Sequence, residues 1–199
     1  MPTASLRYPP LTYLLVLRAF ISLGHKNYFK LIRGKRVKKK DIYGYPGNIP
    51  VISSSHEVDG YLGFASEEWL TKNESPVFEK QLITVNMDGS IGSVFLRNES
   101  KYTINDVVTA IEVTNEKLDP LYIVYAIKEA IARERFTYGA KLYTKRLKKL
   151  KLRVPIDDKG EIDIEQQKIL ARKYEWLEEL KRTMERFAVE LENKFITAD

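Results

Sequence analysis

The stretch KLIRGKRVKKKDIYGYPGNIPVISSS, residues 30–55, joins a dense basic run to a short apolar strand. Residues 41–48 are rich in Gly, Pro and Tyr and predict a loop, and the β-branched Ile49–Ser53 predicts the strand. Two later segments also combine strands, turns and basic residues: FEKQLITVNMDGSIGSVFL, residues 78–96, and FTYGAKLYTKRLKKLKLRVPIDDKGEIDIEQQKIL, residues 136–170. Their order predicts an α+β domain with a mixed or antiparallel sheet and flanking helices.

Local signals predict most of the remaining elements. Asp88-Gly89, between Gln81–Val85 and Ile91–Leu96, is the strongest hairpin signal, and Asp59-Gly60 is a further turn between strands. Asp119 and Pro120 predict the N-cap and the first residue of a helix. Leu147–Val154 predicts a strand that ends at Pro155, and residues 157–160 predict a turn.

The C-terminal segment predicts one long helix that begins at Asp163 or Ile164. Apolar residues recur in it with the alternating spacing of a coiled-coil seam: Leu170, Leu177, Leu180, Met184, Phe187 and Leu191. This spacing favours pairing with another helix, and packing on its own domain is the alternative. We therefore divide the chain into a domain at 1–160 and a spacer or dimerisation helix at 161–199.

Residues 1–27 contain the apolar run LTYLLVLRAFISL, residues 11–23, directly after Pro9 and Pro10. Proline is tolerated in the first turn of a helix, so the run predicts an N-terminal helix from Leu11 to about Gly24. The run is shorter than the roughly 20 apolar residues that cross a bilayer, and Arg18 interrupts it. We expect a buried helix and no membrane span.

The charge of the chain is unevenly distributed. Residues 161–199 contain 7 basic and 10 acidic residues, a net of −3, whereas residues 1–160 contain 26 and 17, a net of +9. The domain is therefore the part predicted to bind a polyanion, and nucleic acid is the commonest large polyanion in the cytoplasm. The absence of cysteine excludes disulfides and fits a reducing cytoplasm.

The sequence contains no recognisable catalytic or cofactor-binding pattern. The histidines, His25 and His56, have no second ligand at metal-binding spacing, and their scarcity also argues against a nucleophile–base pair. Neither GxxxxGK[ST] nor GxGxxG occurs, and an Asn-Pro-Pro-Tyr-like motif for adenine methylation is absent. We predict a non-catalytic protein without a metal or cofactor of its own.

Two basic runs without acidic residues are the predicted DNA-binding elements. Residues 26–40 contain eight Lys or Arg residues and residues 141–153 contain seven. Such groups neutralise phosphates, and Arg33 and Arg36 are candidate readers of guanine. With polar residues of the neighbouring strand and hairpin, the predicted contacts are Arg33, Lys35, Arg36, Lys38, Lys39, Lys40, Ser54, Ser55, His56, Ser90, Tyr138, Lys141, Lys145 and Arg146.

The order of several short motifs resembles the DNA-specificity subunit of type I restriction-modification systems. The basic step is Ile32-Arg33-Gly34-Lys35, and the strand that follows is Ile49-Pro50-Val51-Ile52-Ser53-Ser54. Asp59-Gly60 replaces the Asn-Gly step of the family, and Ile83-Thr84-Val85 with Gly89-Ser90-Ile91-Gly92 matches its hairpin. Asn105-Asp106, Val154-Pro155 and the helix start at Gln166-Gln167-Lys168-Ile169 complete the series.

The resemblance implies a target-recognition domain that reads DNA and leaves the chemistry to partners. Full-length members have two such domains and two long antiparallel helices, and they bridge two methyltransferase subunits and direct a restriction subunit. This chain resembles one domain and one helix. The resemblance therefore implies a homodimer of half subunits around a two-fold axis, which would read a split palindromic site.

Other hypotheses about the function of the chain remain open. It is also consistent with a recognition-domain fragment or with a module of a fused restriction-methylation enzyme. A general nucleic-acid-binding module would bind DNA with a steep salt dependence and without sequence preference. A protein–protein adaptor would ignore DNA and bind an acidic partner.

Overall fold

The computed structural model describes residues 16–56, 60–134 and 142–196, with side chains described up to residue 193. The strands in these ranges are β1 (Arg18–Ser22), β2 (Phe29–Arg33), β3 (Pro46–Ile52), β4 (Tyr61–Ala65), β5 (Val77–Phe78), β6 (Leu82–Asn86), β7 (Val94–Arg97), β8 (Tyr102–Ile104), β9 (Val108–Val113) and β10 (Lys151–Pro155). The helices are α1 (Lys39–Gly44), α2 (Glu67–Lys72), α3 (Pro120–Arg133), α4 (Thr144–Lys149) and α5 (Ile164–Ile196).

The strands form two four-stranded sheets and a two-stranded ribbon. The central sheet has the order β2-β9-β6-β7 and is antiparallel throughout. The outer sheet has the order β4-β3-β8-β5 and is mixed, because β3 and β8 run parallel. The ribbon pairs β1 with β10 in antiparallel register. The predicted α+β class with a mixed or antiparallel sheet and a long C-terminal helix is confirmed.

Alternating side chains distribute the apolar residues over three clusters. Ile83 and Val85 of β6 face the cluster that contains α3, the ribbon and the start of α5. Leu82 of β6 contributes to a second cluster, between the two sheets, where Ile52 and Tyr102 meet it. Val51 of β3 faces the third cluster, under α1 and α2. Successive side chains of a strand point to opposite faces. Because a cluster covers each face, the buried strands carry apolar residues on both.

Elements with strong local signals lie where the sequence predicts them. β6 and β7 form the predicted hairpin, and Gly89 in its turn has a φ of +67°, a region that favours glycine. Asp119 caps α3, since its carboxylate accepts a hydrogen bond from the Tyr122 N–H at 2.7 Å. α5 begins at Ile164, as expected. These elements depend on residues that are adjacent in sequence, which makes them predictable.

The predicted N-terminal helix is wrong for the residues that the structure describes. Arg18–Ser22 is strand β1, in which Ile21 is buried and Phe20 is 59% exposed. A short apolar run fits the period of a strand as well as that of a helix, and pairing with β10, more than 125 residues away, decides between them. The part of the predicted helix before residue 16 lies outside the described residues.

Two further boundaries also differ from expectation. The predicted loop at 41–48 contains most of α1, which is stabilised at its start by a 2.8 Å hydrogen bond from the Lys38 N–H to the Asp41 carboxylate. The predicted strand at Leu147–Val154 begins only at Lys151, because Thr144–Lys149 forms α4. Lysine is a good helix former, and the fully buried Leu147 anchors this turn to the core. The domain boundary at residue 160 remains a prediction.

Candidate nucleic-acid interface

The strand register brings several connecting segments to one end of the central sheet. Arg33 is paired with Thr109 and Asn86 with Val108, so β2 and β6 stop at the end where β9 and β7 start. Hydrogen bonds from Ser54 to Asp88 and from Leu142 to Met87 bring two more segments to the same place. We call this region the loop end; it comprises residues 34–38, 53–56, 87–93, 105–107 and 142–143.

The basic segment, which we define as Arg33–Lys40, is anchored to the loop end by Asn105. The Asn105 Oδ1 accepts hydrogen bonds from the N–H groups of Val37 at 3.1 Å and Asp106 at 2.7 Å. Its Nδ2 donates to the Val37 carbonyl at 3.0 Å, and the Val37 side chain is buried. At Gly34 a Cβ would lie only 2.1 Å from the Asn105 carbonyl oxygen, so glycine is required by close approach. The segment is therefore held on the domain.

The cations of the basic segment are available to a ligand. Among the described residues, none forms an ion pair with the exposed side chains of Arg33, Arg36, Lys38, Lys39 and Lys40. Lys35 differs, because its Nζ lies 2.6 Å from the Glu74 carboxylate, and this hydrogen bond and charge lower the pKa of Glu74. Exposed cations without partners bind phosphates without first breaking an internal contact.

We expect the Asn105→Ala variant to unfold more easily by about 2–3 kcal/mol, because it leaves the buried backbone groups of Val37 without partners. Urea unfolding followed by circular dichroism measures the change. Asn98→Ala is the control, since Asn98 is an exposed asparagine whose side chain bonds only an exposed glutamine side chain, and it should change stability by less than about 0.5 kcal/mol. Equal effects of the two variants would show that Asn105 does not anchor the segment.

The predicted serine contacts are used inside the loop end. The buried Asn86 donates from Nδ2 to the Ser55 carbonyl and to the Ser90 Oγ, each at 2.7 Å. The Ser54 Oγ donates to the Asp88 carbonyl and accepts from the Ser90 N–H at 3.0 Å. These bonds close the turn between β6 and β7. Ser54, Ser55 and Ser90 therefore shape the loop end, and the exposed His56 is the residue of this group that faces solvent.

The second basic run reaches the same region through α4. The Leu142 N–H donates to the Met87 carbonyl at 3.1 Å, which places the start of α4 beside the β6–β7 turn. Lys145 and Arg146 on this helix are exposed. Tyr138 and Lys141, which we also predicted as contacts, lie outside the described residues. Arg153, at the end of the run, is 3.3 Å from the Glu129 carboxylate and is thus engaged within the domain.

The histidines and acidic residues of the described ranges form no metal centre. Within the described ranges, no three side chains of His, Asp or Glu are grouped as ligands for an ion. The His25 Nδ1 accepts a hydrogen bond from the Asn27 N–H at 3.3 Å, and its ring packs edge-on against Tyr28. In the same part of the chain no helix is both long enough and apolar enough to cross a membrane.

The model of one protein family matches the region that contains these surfaces. It describes the type I restriction modification DNA specificity domain, and the match covers residues 26–186. The chain belongs to this family. The match includes the basic segment, the β6–β7 hairpin, α4 and most of α5. No curated protein sequence matches the chain significantly.

Solved structures share the fold of this specificity domain at low sequence identity. The type I restriction-modification S subunit from M. genitalium is 18% identical with a TM-score of 0.55, and the alignment covers 86% of this chain and 43% of that one. The HsdS subunit from Thermoanaerobacter tengcongensis is 12% identical with a TM-score of 0.60, covering 89% and 41%. A chain from a study of complex assembly and conformational transition of the type I R-M system is 13% identical with a TM-score of 0.64, covering 97% and 45%. This specificity domain thus spans less than half of each of these chains.

The residues predicted for helix pairing form an exposed seam on α5 of the specificity domain. Leu170 is partly buried against the domain core. Leu177, Leu180, Met184, Phe187 and Leu191 are between 40% and 63% exposed. Leu177, Leu180 and Met184 line one shallow groove along the helix with Ala188. An apolar row of this length has little contact with its own domain beyond Leu170, which favours a partner helix.

Sequence reasoning missed the residues that hold the loop end together. Asn86 and Asn105 are polar and buried, and each bonds segments that are distant in sequence. In the sequence, Asn105 stands out only as part of the Asn105-Asp106 family motif. The available signal is that Asn86 directly follows the predicted strand Gln81–Val85, where a side-chain amide satisfies backbone groups of a turn.

Proposed function

We propose that this chain is the DNA-recognition part of a type I restriction-modification specificity subunit. It directs DNA methyltransferase subunits, with or without a restriction subunit, to a split target site in the cytoplasm, and it has no catalytic role. The observation that carries the proposal is the basic segment. It is anchored on the loop end, and all its cations except Lys35 form no ion pair with a described residue, in a chain whose residues 26–186 match the specificity domain.

In this proposal the two basic surfaces bind the DNA backbone from one side of the domain. The basic segment and α4 both adjoin the loop end, so a duplex there could contact both at once. Phosphate contacts position the domain, and side chains that reach the groove read the bases. Arg33, Arg36 and His56 are exposed at or beside the loop end and are the candidates for base contacts.

The helix at 161–199 would connect two recognition domains. A two-fold axis through paired α5 seams would place two copies of residues 1–160 on one duplex and demand a split palindrome. The methyltransferase subunits would bind the methyl donor, so this chain needs no cofactor site. Their docking on the helices is part of the same proposal.

The length comparison favours a second candidate arrangement. Because the chain spans less than half of the solved chains, it could also act as one half of a longer specificity polypeptide or of a fused restriction-methylation enzyme. The α5 seam would then pair with a helix of the same polypeptide, and the two half-sites would differ in sequence.

Selection of bound sequences from a randomised duplex pool tests the proposal with the purified chain. We expect enrichment of a split palindrome with one fixed spacing. A single short asymmetric site would support a lone recognition domain, as in the second candidate. Sequence-independent retention with a steep salt dependence would indicate a general nucleic-acid-binding module. No retention, with or without added methyltransferase subunits, would contradict both arrangements and favour an adaptor.

A further inference from the structure

A fully buried glutamine attaches the start of α5 to the recognition domain. The Gln167 Oε1 accepts a hydrogen bond from the Asp119 N–H at 3.0 Å, and its Nε2 donates to the Lys117 carbonyl, also at 3.0 Å. Both partners lie at the start of α3, where Asp119 is the N-cap. A buried polar side chain with several partners has one favourable position, so Gln167 fixes how α5 meets α3.

Four residues further along the two helices extend this attachment: Tyr125 and Lys128 of α3, and Tyr174 and Glu178 of α5. The rings of Tyr125 and Tyr174 are 5.0 Å apart. The Glu178 carboxylate accepts from the Lys128 Nζ at 2.6 Å and from the Tyr125 hydroxyl at 3.4 Å. Burial and the neighbouring Glu178 charge raise the pKa of Tyr125. We name Tyr125, Lys128, Gln167, Tyr174 and Glu178 the α3–α5 clamp.

Beyond the clamp, α5 leaves the domain. From residue 179 to residue 193, every side chain except Thr183 is exposed. The 18 residues from Glu179 to Ile196 form a rod of about 27 Å, at 1.5 Å per residue. Among the described residues, Glu178 therefore makes the last contact between α5 and the domain. A small change of angle at Glu178 moves the far end of the rod by a large distance.

The clamp and the seam occupy different sides of α5. Residues 167, 171, 174 and 178 follow the spacing of one helix face, whereas Leu177, Met184 and Leu191 lie about a third of a turn away, at 100° per residue. Both faces can therefore be used at once. The clamp then sets the rotational position of the seam relative to the loop end.

We propose that the α3–α5 clamp is a positioning device that sets the spacing and helical phase of the two DNA half-sites. The inference rests on the proposed function, because spacing has meaning only for two domains joined through α5. A change of about 10° in the direction of α5 moves the end of the rod by about 5 Å. That exceeds the roughly 3.4 Å between successive base pairs. With a loose clamp, the two domains would therefore bind half-sites at several spacings.

A distance measurement tests the structural half of the proposal without DNA. The chain has no cysteine, so Glu116→Cys, beside the Lys117–Gln167 contact, and Glu192→Cys, on the rod, allow two spin labels. Gln167 and Glu192 are about 38 Å apart along α5, at 1.5 Å per residue. Labelled chain is diluted with unlabelled chain, so that only distances within one molecule are measured. We expect one narrow distance distribution, and a broader one when Lys128→Met and Glu178→Ala are added. An unchanged distribution overturns the proposal.

Selection from the randomised pool tests the functional half. The clamp variant should enrich the same half-site sequences at several spacings, whereas the parent enriches one. Glu185→Ala is the matched control, because Glu185 lies one heptad beyond Glu178, on the exposed rod, and should keep one spacing. Gln167→Leu is a second clamp variant that leaves the charges intact. A single unchanged spacing in both clamp variants overturns the proposal. If the parent enriches only a single short site, the homodimer arrangement and the spacing role both fail while DNA recognition stands, and if it retains no DNA the proposed function fails too; the distance measurement reports in either case whether the clamp holds α5.

Discussion

The Leu177→Asp, Met184→Asp double variant should be monomeric under conditions in which the parent chain forms a dimer. Both side chains lie on the α5 seam, and they are 50% and 63% exposed. Pairing would bury the exposed part of each, which contributes roughly 1 kcal/mol per side chain. A dimer contains four of them, so their loss alone costs roughly 4 kcal/mol, about a thousandfold in the dissociation constant. The carboxylates in the seam add a desolvation penalty.

Sedimentation equilibrium measures this effect, and circular dichroism verifies that the domain stays folded. The Glu179→Asp, Arg186→Asp variant is the control. It introduces two aspartates and the same change in net charge on exposed positions away from the seam, and it should remain dimeric. A double variant of the seam with unchanged mass would falsify pairing through α5. A parent chain that is itself monomeric would support the second candidate arrangement, in which the pairing helix belongs to the same polypeptide.

Replacing Arg36, Lys38, Lys39 and Lys40 with alanine should lower the affinity for duplex DNA by about a hundredfold to a thousandfold near 0.15 M salt. Each cation that neutralises a phosphate contributes about 0.9 to the slope of log K against log salt. The variant should therefore also have a slope that is smaller by about 3–4. These four side chains are exposed, so the domain should keep its stability. Fluorescence anisotropy over a range of salt concentrations measures both quantities.

Four lysines away from the basic segment provide a control with the same change in charge: Lys80, Lys117, Lys159 and Lys168. Lys80, Lys117 and Lys168 are held in ion pairs with glutamates, and Lys80 precedes β6 at the opposite end of the central sheet from the loop end. Alanine at these positions should reduce affinity only through the long-range field, by much less than the first set. If the two sets lower affinity equally, DNA binding depends on total charge and the basic segment is not the interface.

The basic runs show how far the candidate site could be predicted. The sequence identifies every cation in them, and the structure leaves most of the described ones exposed. It does not distinguish Arg36, which has no ion pair with a described residue, from Lys35 and Arg153, which are paired with Glu74 and Glu129. Those glutamates lie 39 and 24 positions away, and only folding brings them within 4 Å.

The turns, caps and long helix of this chain follow from its local sequence. The Asp88-Gly89 hairpin, the Asp119 cap and the apolar rows of α5 depend on backbone preferences and on spacings within a few residues. Such preferences depend little on the rest of the fold, so the elements can be predicted from the sequence alone. The same holds for the order of the family motifs, since order is a property of the chain.

Packing between distant segments settles the remaining features. Arg18–Ser22 becomes a strand because β10 supplies backbone partners, and the basic segment is held because Asn105, 68 positions from Val37, satisfies its backbone. Ser54 and Ser90 turn inward because the β6–β7 turn offers a buried carbonyl and N–H. A hydrogen bond or ion pair of this kind needs both partners within about 3–4 Å. The number of residues between two partners does not give that distance, because the packing of the whole chain decides it.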